Sequence, residues 1–182
     1  PQRIWGTPKF HYPFGKTQTG ERSYHWPQKV SEGAVYLKLD GTNVLVFSYQ
    51  YNGIRRVSAK TRLTPFLSES TFGNFLAMWQ RMVALHPEIM QPPEGFAMAY
   101  EMYGTANPHM ISYDVDLDVR GLYMVSQADA SLFPPVDVPR GLKPAAKLHG
   151  KEDLTAIYND LREQAQEANC KIELPDGSEE IE

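Results

Sequence analysis

Cysteine is almost absent from this 182-residue chain, Cys170 being the only one. A single thiol forms no internal disulfide and no multi-cysteine zinc site. It fits a free thiol on a reduced intracellular protein, and so a cytoplasmic one. Long apolar runs are missing too. No stretch approaches the ~20 residues of a membrane-spanning helix, and the opening Pro1-Gln2-Arg3-Ile4-Trp5 has no feature of a secretory signal. There is no internal repeat and no low-complexity tract. Hydrophobic residues make up 42% and charged residues 22%, which excludes an intrinsically disordered chain.

Uniform positive charge is also lacking, since the net charge is −4. The average conceals an asymmetry. Through Phe66 the chain has ten Lys/Arg against three acids, a balance of +7, while the remainder carries eight against nineteen, or −11. A basic N-terminal third interleaved with Phe10, His11, Tyr12, Phe14, Tyr24, His25 and Trp26 suits phosphate contacts and base stacking. A basic surface balancing an acidic one explains the charge equally well.

Along the chain, the first 29 residues are rich in Gly and Pro and read as loop. Strands are predicted over Ala34–Leu39 and Thr42–Tyr49, with a return strand over Ile54–Lys60. Asn52-Gly53 marks a tight hairpin turn between the last two, because this pair tolerates positive φ. From Glu69 to Met90, Phe72, Phe75, Leu76, Trp79, Met82 and Val83 recur at helical spacing until Pro92-Pro93, a stripe read as core. Further strands are predicted over Phe96–Tyr103 and Val115–Ser126, and a second amphipathic helix over Glu152–Ala168. Strands interrupted by helices without regular alternation indicate an α+β fold with antiparallel sheets and packed helices.

Within the apolar run "AVYLKLDGTNVLVF", Lys38 and Asp40 stand out. Burial and neighbouring positive charge both disfavour an ammonium, and a neutral amine is a nucleophile. Asp40, two residues on, projects to the same side of an extended strand. Gly41 removes a side chain where backbone meets a ligand. Lys-x-Asp-Gly therefore fits covalent lysine chemistry on a phosphate-bearing substrate. Alone, it fits better a lysine reaching out from a strand end with its aspartate as salt-bridge partner.

Lys38-Leu-Asp40-Gly41-Thr42-Asn43 resembles the first motif of the covalent nucleotidyltransferases, the superfamily of ATP-dependent ligases and mRNA capping enzymes, and looks most like RNA ligases. Ser58-Ala-Lys60-Thr-Arg62 falls where that family has its next motif, and "AYEMYGTANPHMISY" resembles the third. "LDVRGLYMV" fits the strand that follows, with Tyr123 as the aromatic near the base. The resemblance spans roughly Val35 to Ser126.

It implies a ligase adenylation-domain fold over residues 1–182. A loop-rich segment (1–33) precedes a nucleotide-binding core (34–126) and a loop, helix and acidic tail (127–182). Lys38 is implied as the nucleophile that forms lysyl–AMP. Leu37, Lys38, Asp40, Asn43, Lys60, Arg62, Glu101, Tyr103 and Tyr123 are implied as nucleotide-binding, with Glu101 at the ribose and Tyr103 stacked on the purine. ATP and Mg2+ (or Mn2+) are the implied cofactors, and RNA with 5′-phosphate and 3′-hydroxyl ends, in RNA repair, the implied partner. Glu101 also reads as an ordinary strand-end carboxylate, Tyr103 as a core aromatic, and Lys60 and Arg62 as a solvated sheet edge. His109 reads as structural, and Asp114, Asp116 and Asp118 as a solvated face rather than a calcium loop.

Tyr36 stands where DNA ligases carry a glutamate. The family's fourth motif (Glu-Gly before an apolar run) and its fifth (Lys-x-Lys) are missing, although Glu182 is placed to open the fourth and to hold the metal. The expectation is a protein continuing past Glu182, with weak adenylylation by the isolated chain. A capping-type guanylyltransferase and a catalytically inactive relative that binds nucleotide or RNA ends are the alternatives.

Overall fold

A computed structural model of the chain describes residues 2–10, 14–26, 32–70, 73–149, 153–169, 171–173 and 179–181. In chain order, β1 (Phe14–Lys16), β2 (Arg22–Tyr24) and β3 (Glu32–Val35) come first. β4 (Thr42–Tyr51), β5 (Ile54–Thr61), β6 (Glu69–Ser70) and β7 (Gly73–Asn74) lead into α1 (Phe75–Leu85). Then come β8 (Phe96–Tyr103), β9 (Asp118–Ser126), β10 (Leu132–Phe133) and β11 (Ala146–His149). α2 (Leu154–Asn169), β12 (Lys171–Glu173) and β13 (Glu179–Ile181) complete the order. Pairings between these strands are antiparallel, so the α+β class is as expected. Among the described residues no helix is long and apolar enough to cross a membrane.

The chain groups into two compact units, Pro1–Lys9 with Tyr36–Ala145 and Phe10–Val35 with Ala146–Glu182. The first is built on a five-stranded sheet of order β10-β9-β8-β4-β5. The β4–β5 turn has φ 50° at Asn52 and 72° at Gly53, the positive values that a tight hairpin turn requires. One sheet face packs on α1. Val44, Val46, Met98, Tyr100, Met102 and Val119 meet Met78, Trp79, Met82 and Ile89 there. The other face buries Leu45, Ala97, Ala99, Tyr123 and Val125, with Trp5, Phe47 and Leu122 against them. A strand buried on both faces reads as nearly continuous apolar sequence. β8 (FAMAYEMY) does so, with Glu101 its only carboxylate.

Three expected elements shift. The helix begins at Phe75 rather than Glu69, because the Asn74 side chain caps it by accepting from the Ala77 N–H at 2.9 Å, and it ends before Pro87. Phe72, placed in the helical stripe, lies outside the described residues. β9 starts at Asp118, since the Val115 and Asp116 carbonyls instead accept from Thr105 and Ala106. The strand expected over Ala34–Leu39 stops at Val35, whose partner is Ala146. Beyond it, residues 36–40 are irregular, and the N–H and carboxylate of Asp40 bond to a loop rather than to a neighbouring strand. Leu37 is 68% exposed and Lys38 is also exposed, so the expected burial of the lysine is not found.

In the second unit, the β1–β2 hairpin packs aromatics on α2. Tyr24 stacks on Trp26, and both meet Tyr158 edge-on. The Tyr24 hydroxyl donates to Asn159 at 2.7 Å and the Trp26 indole to Thr155 at 2.8 Å. α2 opens on Asp153, whose carboxylate accepts from the Thr155 and Ala156 N–H groups.

Candidate functional site

The site forms where the chain enters β4. A Cβ on Gly41 would stand 2.3 Å from the Met102 carbonyl oxygen and 3.0 Å from the Tyr103 Cβ, so glycine is what lets residues 36–41 cross the end of β8. Asp40 anchors that crossing. Its carboxylate accepts from the Met110 and Ile111 N–H groups at 2.9 and 3.1 Å, and its own N–H donates to the Tyr113 hydroxyl at 2.7 Å. Below it, buried Asn107 donates to the Met102 carbonyl at 2.7 Å and to the Thr42 hydroxyl at 3.0 Å, with His109 beside Thr42. Lys38 is thus carried on a segment pinned by the loop of residues 104–113.

Glu101 lies opposite Asn43 in the β4–β8 ladder. Burial raises its carboxyl to about 7. Hydrogen bonds from the Asn43 side chain and the Gly41 backbone, and the nearby charge of Lys38, oppose that rise, while Asp40 adds to it. Asn43 is held on its other sides, donating to the Tyr100 carbonyl at 3.2 Å and accepting from the Thr7 hydroxyl at 3.0 Å. Thr7 also lies beside Tyr123, whose buried hydroxyl is raised above its ordinary pKa by desolvation first and further by Glu101, with Thr7 and Arg62 opposing.

Tyr103 is buried against Tyr113, edge to face with centroids 4.7 Å apart. Its hydroxyl donates to Asp118 at 2.9 Å and is likewise raised by burial. Burial pushes the Asp118 carboxyl up, but the Val119 N–H, the Tyr103 hydroxyl and the Arg140 and Arg120 guanidinium groups together hold it below the ordinary carboxylate range.

Of the residues selected from sequence, Asn43 and Glu101 pair across β4 and β8 beside Gly41, and the charges of Lys38 and Asp40 act on Glu101. Arg62 lies beside Asn43. With Gly41, Thr42, Asn43 and Leu63 it lines a small cleft of about 260 Å³, and its charge reaches Tyr123. Lys60 is half-buried opposite Leu45. Leu37 points to solvent, and Tyr103 and Tyr123 are buried under neighbouring side chains. Glu182 lies outside the described residues. Among the described residues no group of three or more His, Cys, Asp or Glu is arranged to hold a metal ion. Sequence reading missed Thr7 and Arg140, gave Asn107, Tyr113 and Arg120 no task, and took Asp118 as part of a solvated face, whereas its side chain is 15% exposed and held by Arg120, Arg140 and Tyr103. Asn107 and Tyr113 lie within the third-motif segment and Asp118 and Arg120 within the strand after it, but Thr7 and Arg140 carry no local signal.

No protein-family model matches the chain, and no curated protein matches it. Among solved structures it is similar to two lysine-to-alanine mutants of the Naegleria gruberi RNA ligase, each with ATP and Mn. One is 13% identical over 72% of this chain and 41% of that one, with a TM-score of 0.49. The other is 14% identical over 71% and 40%, with a TM-score of 0.48. The same ligase with PPi is 12% identical over 71% and 40%, again with a TM-score of 0.48. The chain thus spans about 40% of the length of these structures.

Proposed function

We propose that this chain is the nucleotidyltransferase part of an ATP-dependent RNA ligase, with Lys38 as its nucleophile. One observation carries the reading: Glu101 pairs with Asn43 across β4 and β8, accepts from the Gly41 backbone, and lies within reach of the charges of Lys38 and Asp40, although 63 positions separate it from Lys38. These are the residues that the first and third motif resemblances select, and Arg62 of the second lines a cleft with Gly41 and Asn43.

The Lys38 amine attacks the α-phosphorus of ATP in line. An N–P bond forms, the bond from that phosphorus to the bridging oxygen breaks, and pyrophosphate leaves. The attacking nitrogen must lose a proton. We assign that role to Glu101, whose carboxyl is raised by burial to about 7 and feels the charge of Lys38. Arg62 and Lys60 supply positive charge for the phosphates. Asp40 acts through the backbone, holding the lysine segment on the 110–111 loop. A divalent ion, Mg2+ or Mn2+, would neutralise phosphate charge; the described residues do not assemble its ligands. AMP then passes to an RNA 5′-phosphate and is displaced by a 3′-hydroxyl.

The test is label from α-labelled ATP or GTP that survives denaturing electrophoresis. The expected outcome is label from ATP, weak without the fourth and fifth motifs, and absent from Lys38→Ala. Label from GTP instead identifies a guanylyltransferase. ATP binding without label identifies a non-catalytic nucleotide-binding relative. That second reading draws on two observations, the exposure of Lys38 and the engagement of Asp40 by the loop.

A further inference from the structure

We infer that the face of the β4–β5 hairpin continuous with this site is a binding track for single-stranded RNA. Alternate side chains of β4 share one sheet face, and on the face of Asn43 and Leu45 the next three are Phe47, Tyr49 and Tyr51. Their cross-strand partners are Ser58, Arg56 and Ile54, and the pair before them is Leu45 with Lys60. Rings and cations therefore form one strip on two adjacent strands, and Arg62 follows at its inner end. The strip is open at its outer end: Tyr51 is 62% exposed and Arg56 is exposed, while Phe47 and Tyr49 are half-buried with centroids 6.1 Å apart. Arg55 departs from it to the opposite face, donating to the Pro92 carbonyl.

Charge favours a polyanion. No Asp or Glu occurs from Thr42 to Thr61. A strip of aromatic rings beside Lys and Arg offers each nucleotide a stacking surface for its base and a cation for its phosphate. Duplex RNA keeps its base faces inside the helix, whereas a single strand presents them to a flat sheet. From Tyr51 to Phe47 the strand rises about 13 Å; Leu45 beyond them is 1% exposed, so the path continues along the edge strand β5 by Lys60 to Arg62. That the bound strand is a substrate rests on the function proposed above. That RNA binds here does not.

The experiment is fluorescence anisotropy on the full chain with a short labelled single-stranded RNA and a duplex control, over a range of salt concentrations. Thermal melting of each variant is followed in parallel. Tyr51→Ala should weaken single-strand binding about tenfold, and Tyr51→Phe should keep it. Arg56→Gln should make the slope of log affinity against log salt shallower by about 0.7, as expected for one lost phosphate contact. Both positions are exposed, so the fold survives these changes. No RNA binding, unchanged affinity and slope in the variants, or equal affinity for duplex would overturn the inference. So would weaker binding that only tracks a fall in melting temperature, which would make the rings hairpin supports. Labelling from ATP is read separately. Label without the track rejects the track alone, and the track without label rejects the proposed activity alone.

Discussion

The two faces of the central sheet come from the same strands and differ by one residue of parity. Val44, Val46, Met98, Tyr100 and Met102 point to α1 and make a dry core. Asn43, Leu45, Phe47, Ala99 and Glu101 point the other way. There Leu45 and Ala99 are buried, but Asn43 and Glu101 form a hydrogen-bonded polar end beside Lys38. A side-chain period of two lets one strand serve stability on one side and chemistry on the other. In β8 the division falls between neighbours: Tyr100 and Met102 are fully buried, and Glu101 between them faces the site.

Cutting each face separately should expose this division. On the chemical side, Lys38→Ala should remove all nucleotide label, and Lys38→Arg should do the same because a guanidinium stays protonated and cannot attack. Because Lys38 is exposed, the melting temperature should hardly move. Label retained in either variant overturns the assignment. On the α1 side, Met98→Ala should cost about 2–5 kcal/mol of stability by opening a cavity, read from the urea midpoint. At temperatures where the variant stays folded, nucleotide labelling should persist.

The face rule was legible in the sequence, and the entry to the site was not. β8 matches its predicted bounds because an apolar run flanked by a turn is a local signal, and Asn52-Gly53 announced the hairpin. The lysine segment reads as a strand through its β-branched and apolar composition, yet strand pairing is a long-range property. Val35 finds Ala146, whereas Asp40 finds the N–H groups of Met110 and Ile111. No local pattern carries either fact. Thr7, which holds Asn43, and Arg120 and Arg140, which hold Asp118, are single residues from separate segments with no shared motif. Lys38 and Asp40 stand out within an apolar run and resemblance adds Glu101, but only the fold sets Glu101 beside Asn43 and Gly41, within reach of their charges.

Titration sharpens the comparison. The Glu101 carboxyl is raised from 4.5 to about 7 in the folded chain, so between those values the native state binds more protons than the unfolded one. Its contribution to stability is therefore fully present below pH 4.5 and is lost as pH rises through about 7. Glu101→Gln should flatten that decline and leave the chain more stable than wild type above neutrality, by about 2–3 kcal/mol. Denaturant melts across this range check it. A decline of equal size in both proteins would place the titration on another group. On the α1 face, where no carboxylate is part of the core, Met98→Ala should shift the whole curve without changing its slope.

Tyr103 gives the smallest effect and the finest division, because it sits where the two faces meet. The resemblance proposes that its ring stacks on the purine, whereas its surroundings show a ring packed edge to face on Tyr113 and a hydroxyl donating to Asp118. Tyr103→Phe keeps the ring and removes only the hydroxyl. It should cost about 1 kcal/mol of stability, leaving Asp118 with its Val119, Arg120 and Arg140 partners. ATP affinity should not change if the ring alone meets the base. Tyr103→Ala removes the ring as well and should weaken ATP binding by about 1–3 kcal/mol, the range for a base stacked on an aromatic side chain. Calorimetric titration with ATP, paired with thermal melts, separates the two. If Tyr103→Ala lowers the melting temperature but leaves ATP affinity unchanged, Tyr103 belongs to the core, and base stacking must be sought at Tyr123 or elsewhere on the Glu101 face.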